Sequence, residues 1–207
     1  MRAEDVMKIS PIVPVIAITN VDDALPLAKA LFEGGIKIME ITLRTEAGLK
    51  AIEIISKEMP QMNVGAGTVL NASDFNKAVE HGAQFVFSPG ISEELMLVSK
   101  ELNIPLIPGV ATASEVMLAQ NNGFMHCKLF PATVVGGIGA LKALSGPFAQ
   151  MRFCPTGGVS LDNIKEFLSL DNVLCAGGSW IVPKEAMIVK DFKKITGLAL
   201  EALSTIR

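Results

Sequence analysis

Ile12-Val13-Pro14-Val15-Ile16-Ala17-Ile18 runs directly into Thr19-Asn20-Val21. Seven apolar residues without a charge read as a strand buried on both faces. The run is too short to cross a bilayer. In an open doubly wound sheet the first strand feeds a glycine-rich turn that holds a dinucleotide, and here that turn is missing. The first strand therefore belongs to a parallel sheet of a different kind.

Outward from it, strand and helix alternate. Asp22 to Glu33 reads as a helix closed by Gly34-Gly35, Ile36 to Leu43 as the second strand, and Glu46 to Lys57 as the next helix. Asn63 to Gly67 is the third strand, Asn71-Ala72-Ser73-Asp74 caps a helix running to His81, and Phe85-Val86-Phe87 is the fourth strand. A helix over Ser92 to Leu102, a fifth strand over Pro105 to Ile107 and a helix capped by Thr112 or Ser114 follow. The sixth strand contains Lys128. A helix over Gly136 to Leu144, a strand over Met151 to Phe153, a helix over Ser160 to Leu168, a strand over Val173 to Ala176 and a last helix from about Lys184 to Thr205 complete the chain. Eight strands separated by helices, with no polar linker, predict an α/β fold: a (β/α)8 TIM barrel in one domain spanning 1–207, with a short N-terminal helix before the first strand.

The chain has 207 residues, 50% hydrophobic and 19% charged, with net charge −3. That length supports one core that buries roughly 70% of the unfolded surface. No basic run or arginine-rich stripe is present, which argues against nucleic acid as a partner. Glu4, Asp5 and Lys8 stand where a signal sequence would have its apolar centre, and no membrane-spanning run follows. A cytoplasmic protein is expected. Cys127, Cys154 and Cys175 are an odd, widely spaced set that reads as buried thiols. His81 and His126 lack ligand spacing, so no metal and no cofactor are expected.

Candidate chemistry lies at the strand ends, where barrels place it. Met125-His126-Cys127-Lys128-Leu129-Phe130-Pro131 carries a lysine inside an apolar strand. An ammonium ion is costly to desolvate, a buried amine is pushed toward its neutral form, and a neutral amine attacks carbonyls. The bland alternative is a strand-end lysine whose tip snorkels to water. On the second strand Glu40, Thr42 and Arg44 share one face by alternation, opposite Ile41 and Leu43. They are either functional groups or a structural ion pair. Gly65-Ala66-Gly67-Thr68 lets a ligand or backbone come close, and Thr68 adds a hydroxyl. Ser88-Pro89-Gly90 and Pro108-Gly109 are turn signals. Pro155-Thr156-Gly157-Gly158 and Gly177-Gly178-Ser179-Trp180 follow the last two strands, where barrels hold phosphate on backbone N–H groups.

Together Glu40 to Thr45, Gly65 to Val69, Ser88 to Gly90, Lys128 to Ala132, Pro155 to Gly158 and Gly177 to Trp180 resemble the 2-keto-3-deoxy-6-phosphogluconate aldolases, which often also cleave 4-hydroxy-2-oxoglutarate. The likeness runs through nearly the whole chain, one motif per strand end. It implies a class I lyase: Lys128 forms the Schiff base, Glu40 is the general acid/base, and Arg44 and Thr68 hold the pyruvyl carboxylate. Pro89, Phe130 and Thr156 line the substrate site. Gly157, Gly158, Gly178 and Ser179 bind phosphate, at the end of the mouth away from Arg44. It also implies small 2-keto acids and pyruvate as ligands, and a homotrimer. Thr133 stands where many relatives have a glutamate, which leaves substrate selectivity open. Two other readings are a phosphate-handling epimerase or isomerase in which Lys128 is only electrostatic, and a barrel that binds ligand without catalysis.

Overall fold

The computed structural model describes residues 1–206; Arg207, the last residue of the expected domain, lies outside them. Helix α1 (Ala3–Met7) precedes β1 (Ile12–Ile16), as expected. Then α2 (Ala24–Glu33), β2 (Ile38–Thr42), α3 (Ala47–Glu58), β3 (Asn63–Gly67), α4 (Ala72–Glu80), β4 (Val86–Phe87) and α5 (Glu93–Leu102) alternate. The second half holds β5 (Leu106–Ile107), β6 (Gly109–Val110), α6 (Ala113–Asn121), β7 (His126–Leu129), α7 (Gly137–Ser145), β8 (Arg152–Pro155), α8 (Ile164–Leu168), β9 (Ala176–Gly178), α9 (Lys184–Ile188) and α10 (Phe192–Thr205).

The helix starts are set by local chemistry. The side chains of Asn71, Ser92 and Thr112 accept from Asp74, Leu95 and Glu115 amides, and Glu115 reaches back to complete a capping box. Asn103, at φ 53, ends α5 in the left-handed region that asparagine tolerates best after glycine.

Every strand pairing is parallel. One curled sheet has the order β5-β4-β3-β2-β1-β9, a second has β6-β7-β8, and isolated bridges Phe153–Val173 and Thr156–Gly177 run between β8 and the approach to and body of β9. The strands are buried on both faces, as parallel sheets under helices must be. A single apolar cluster links sheet and helices from Val6 to Ala202.

Several boundaries differ from the sequence reading. The fifth strand is two pieces, because Pro108 has no N–H to give between them. The eighth is shifted to Ala176–Gly178. The helix expected from Ser160 begins only at Ile164: Asn163 accepts from the Ser160 amide at 2.9 Å and donates to the Gly158 carbonyl at 3.0 Å, holding this segment as a turn. The last helix is broken at Lys190, whose φ is 54.

Register places the polar strand residues. Glu40 lies opposite Val15 on β1 and Gly65 on β3. Lys128 lies opposite Gly109 on β6 and Cys154 on β8.

Candidate active site

Lys128 and Glu40 are 88 positions apart and meet in the interior, with Nζ donating to Oε1 at 3.2 Å. Their side chains are 6% and 1% exposed. The snorkelling alternative is thereby excluded, and so is the Glu40–Arg44 ion pair: the partner of Glu40 is Lys128, while Arg44 is exposed just past the end of β2. A buried ion pair returns little net stability after desolvation. Its placement is explained better by chemistry that needs an amine next to a proton acceptor.

Two phenyl rings complete the amine's surroundings. Nζ lies 5.3 Å from the centroid of Phe130 and 5.5 Å from that of Phe87. They exclude water and favour a cation by up to about 2 kcal/mol when desolvated. Phe130 is on the face expected from its spacing to Lys128. Phe87 was not identified from sequence, because its approach depends on how β4 lies relative to β7. It is held edge-on by Phe85, with centroids 5.9 Å apart.

The glycines of β3 have a definite reason. A Cβ on Gly67 would fall on the Glu40 carboxylate, 2.5 Å from its Cγ and 2.6 Å from its Cδ, and one on Gly65 would fall on the Phe85 ring. Gly67 is therefore the space that Glu40 occupies. The next residue, Thr68, is half-buried at φ 58. For a β-branched residue that conformation is strained, and such strain concentrates at functional sites.

Below the pair, Cys154 and Cys175 are 1% and 0% exposed. The Cys175 thiol is pushed well up, by its hydrogen bond with Cys154, then by burial, with the charge of Glu40 adding to it. Burial alone pushes Cys127 up to about 12. All three cysteines are free and buried, as expected. Among the described residues no cluster of His, Cys, Asp or Glu could hold a metal ion.

The remaining expected residues lie along the rim. Thr42 is buried and donates to the Ile16 carbonyl at 2.9 Å, so it ties β2 to β1. Pro89 is half-buried and its carbonyl fills the space beside Gly109. Thr156 is 5% exposed and its side chain sits where a Cβ of Gly177 would be. Gly157 and Gly158 have φ values of 96 and 79, and Thr133 occupies the place of a Gly158 side chain while its hydroxyl donates to the Gly157 carbonyl at 3.3 Å. A Cβ on Gly178 would strike the Trp180 ring. The first glycine pair is thus required by its backbone conformation and the second by the side chains of Thr156 and Trp180, before any ligand is considered. The Thr156–Gly177 bridge brings the two loops together.

Ser179 and Arg44 both line one cleft of about 710 Å³, together with Val15, Ala17 and Thr19 of β1 and its following loop. The cause is the β9–β1–β2 order, which makes the first strand the floor between the eighth and second strand ends.

The model of the family "KDPG and KHG aldolase" matches residues 3–198. This chain belongs to that family. It is 49% identical to the KHG/KDPG aldolase of Escherichia coli K12 over 201 residues, covering 97% of this chain and 94% of the relative. It is 48% identical to the 2-dehydro-3-deoxy-phosphogluconate aldolase of Dickeya dadantii, covering 98% and 95%. A KDPG aldolase from Legionella pneumophila, solved with pyruvate captured at low pH as a covalent carbinolamine intermediate, superposes with a TM-score of 0.96 at 47% identity over 98% of each chain. The enzyme of Zymomonas mobilis ZM4 with 3-phosphoglycerate gives 0.94 at 42% identity, covering 99% of this chain and 96% of that one.

Proposed function

We propose that this family member is a class I aldolase that cleaves 2-keto-3-deoxy-6-phosphogluconate to pyruvate and glyceraldehyde 3-phosphate, and 4-hydroxy-2-oxoglutarate to pyruvate and glyoxylate. The observation that carries the reading is the buried Lys128–Glu40 pair at 3.2 Å, walled by Phe87 and Phe130.

The steps follow from that pair. Glu40 takes a proton from the Lys128 ammonium, and the free amine attacks the C2 carbonyl to give a carbinolamine. Glu40 returns a proton as water leaves, and a protonated imine forms. Removal of the C4 hydroxyl proton by Glu40, directly or through one water, breaks the C3–C4 bond. The electron pair passes into the C2–C3 enamine and the imine nitrogen is neutralised, while the aldehyde departs. Protonation of C3 and hydrolysis then release pyruvate and regenerate the amine. The imine is the electron sink. Arg44 holds the substrate carboxylate in a planar fork, and Thr68 contributes its hydroxyl. Pro89 and Thr156 shape the walls. Backbone N–H groups at Gly157, Gly158 and Gly178, with Ser179, receive the phosphate.

Glu40, whose carboxylate reaches Lys128 and no other described donor, favours this reading over an epimerase in which the lysine is only electrostatic. Steady-state release of pyruvate from both substrates tests it; activity on neither contradicts it.

Strand pieces β5 and β6, interrupted at Pro108, act as one strand, and the Thr156–Gly177 bridge supports closure of the curled sheet as a (β/α)8 barrel in one domain. No helix of the described residues is long and apolar enough to cross a membrane, which fits a cytoplasmic enzyme. The family resemblance implies a homotrimer, which sedimentation velocity tests.

A further inference from the structure

We infer that Lys184 places a fixed positive charge at the phosphate end of the substrate and thereby sets the preference for phosphorylated over unphosphorylated hydroxy-keto acids. This rests on the aldolase reading above. Sequence alone supplies no charge for this task, since the glycine loops after the last two strands are neutral.

The charged groups lining the cleft are Asp23, Arg44, Lys184 and Lys190. Asp23 is 6% exposed and is taken up by Lys190, whose Nζ lies 3.1 Å from its Oδ1. Neither Arg44 nor Lys184 has an ion-pair partner among the described residues. Two positive charges are therefore left uncompensated on the walls of one cleft. A substrate with a carboxylate at one end and a phosphate at the other matches two separate cations. Arg44 follows directly on β2, the strand that carries Glu40, and so takes the carboxylate end. Lys184 stands five positions after Ser179 on the connection that leaves β9, and so takes the other.

That connection is anchored. Ile181 and Ala186 are 0% and 1% exposed, the Val182 amide donates to the Ser179 carbonyl at 3.2 Å, and the Ala186 amide donates to the Pro183 carbonyl at 3.1 Å. The far end of α9 is tied across the cleft by the Lys190–Asp23 pair. Lys184 itself is exposed between these anchors. Its backbone is fixed and its ammonium is free to meet an anion beside Ser179. 4-Hydroxy-2-oxoglutarate ends in a carboxylate one carbon short of the position that carries phosphate in the longer substrate, and it carries less charge there.

The test compares Lys184→Gln, Lys184→Arg and, as a change of net charge away from the cleft, Lys193→Gln. The ratio of kcat/KM for 2-keto-3-deoxy-6-phosphogluconate to that for 4-hydroxy-2-oxoglutarate should fall about 10-fold in Lys184→Gln, the size expected for one charge-assisted contact in a solvated cleft. The loss should appear mainly in KM and shrink at high salt. Lys184→Arg should keep most of the ratio, and Lys193→Gln should leave it unchanged. Binding of inorganic phosphate, followed by calorimetry without turnover, should weaken in Lys184→Gln alone. An unchanged ratio together with unchanged phosphate binding in that variant overturns the inference. A parent chain that neither turns over nor traps pyruvate overturns the aldolase reading instead, and the phosphate titration still decides the role of Lys184.

Discussion

Gly67→Ala adds one methyl group where the Glu40 side chain already lies. The new Cβ would lie 2.5 Å from Glu40 Cγ and 2.6 Å from Cδ. Carbon atoms pack at about 3.5–4.0 Å, so the carboxylate must retreat by about 1 Å. It is 1% exposed, flanked by β1 and β3 and in contact with Lys128 at 3.2 Å, so a retreat of that size disturbs the contact. A displacement of about 1 Å at a reacting group costs about 10²-fold in rate. Overpacking costs about 1–3 kcal/mol of stability, offset in part by about 0.4–1 kcal/mol from the stiffer unfolded chain. The variant should therefore fold, melt lower and lose about 10² in kcat, read by coupling pyruvate release to lactate dehydrogenase alongside a circular-dichroism melt. In a Glu40→Ala background the methyl has room, and its stability cost should disappear. A folded Gly67→Ala enzyme with parental kcat refutes the reasoning, because the carboxylate would then not need the place in which it is found.

Other consequences are open to the same assays. Glu40→Gln keeps shape and loses the proton acceptor, and kcat should fall by about 10²–10⁴-fold with the melting temperature little changed; parental kcat would move the acid/base role elsewhere. Thr68→Gly removes the strain of φ 58 and the hydroxyl together. Stability should hold or rise by about 0.5 kcal/mol while KM for the keto acid rises, and a large loss of stability contradicts the strain assignment. His126 is half-buried, and burial is the main cause that holds its imidazole below the ordinary value, with Glu4 opposing and Arg152, Lys8 and Arg2 adding to it. The unfolded chain then binds the proton more readily than the folded one. The contribution of His126 is complete above the ordinary value near 6.5 and is lost as pH falls from there toward the folded value. Denaturant midpoints should decline over that range, and less steeply in His126→Gln; identical slopes contradict the burial effect.

The parts of this molecule legible in sequence are those where one residue type is costly in its place. A lysine in Met125–Pro131 and a glutamate in Ile36–Leu43 stand out because burial of either demands a partner. That they are each other's partner was not legible, since it depends on which strands curl toward one another. Phe87 was missed for the same reason. In sequence Gly67 reads as room for a ligand or another backbone, and its space belongs to the Glu40 side chain. The last helix reads as continuous because Lys184 to Thr205 has helical periodicity, whereas the turn at Lys190, its hold on Asp23 and the Asp191 cap on the Lys194 amide divide it in two. That Arg44 and Ser179 line one cleft is not legible in sequence, because strand ends 135 residues apart in the chain are separated by one strand in space.

The central claim is that Lys128 is the amine that bonds to the substrate. Incubating the protein with pyruvate and borohydride, then digesting it and mapping the modified peptide by mass spectrometry, tests this directly. The account predicts one reduced pyruvate adduct, on Lys128, absent when Lys128→Arg is treated in the same way. An adduct on a different lysine, or none with the active enzyme, would contradict it.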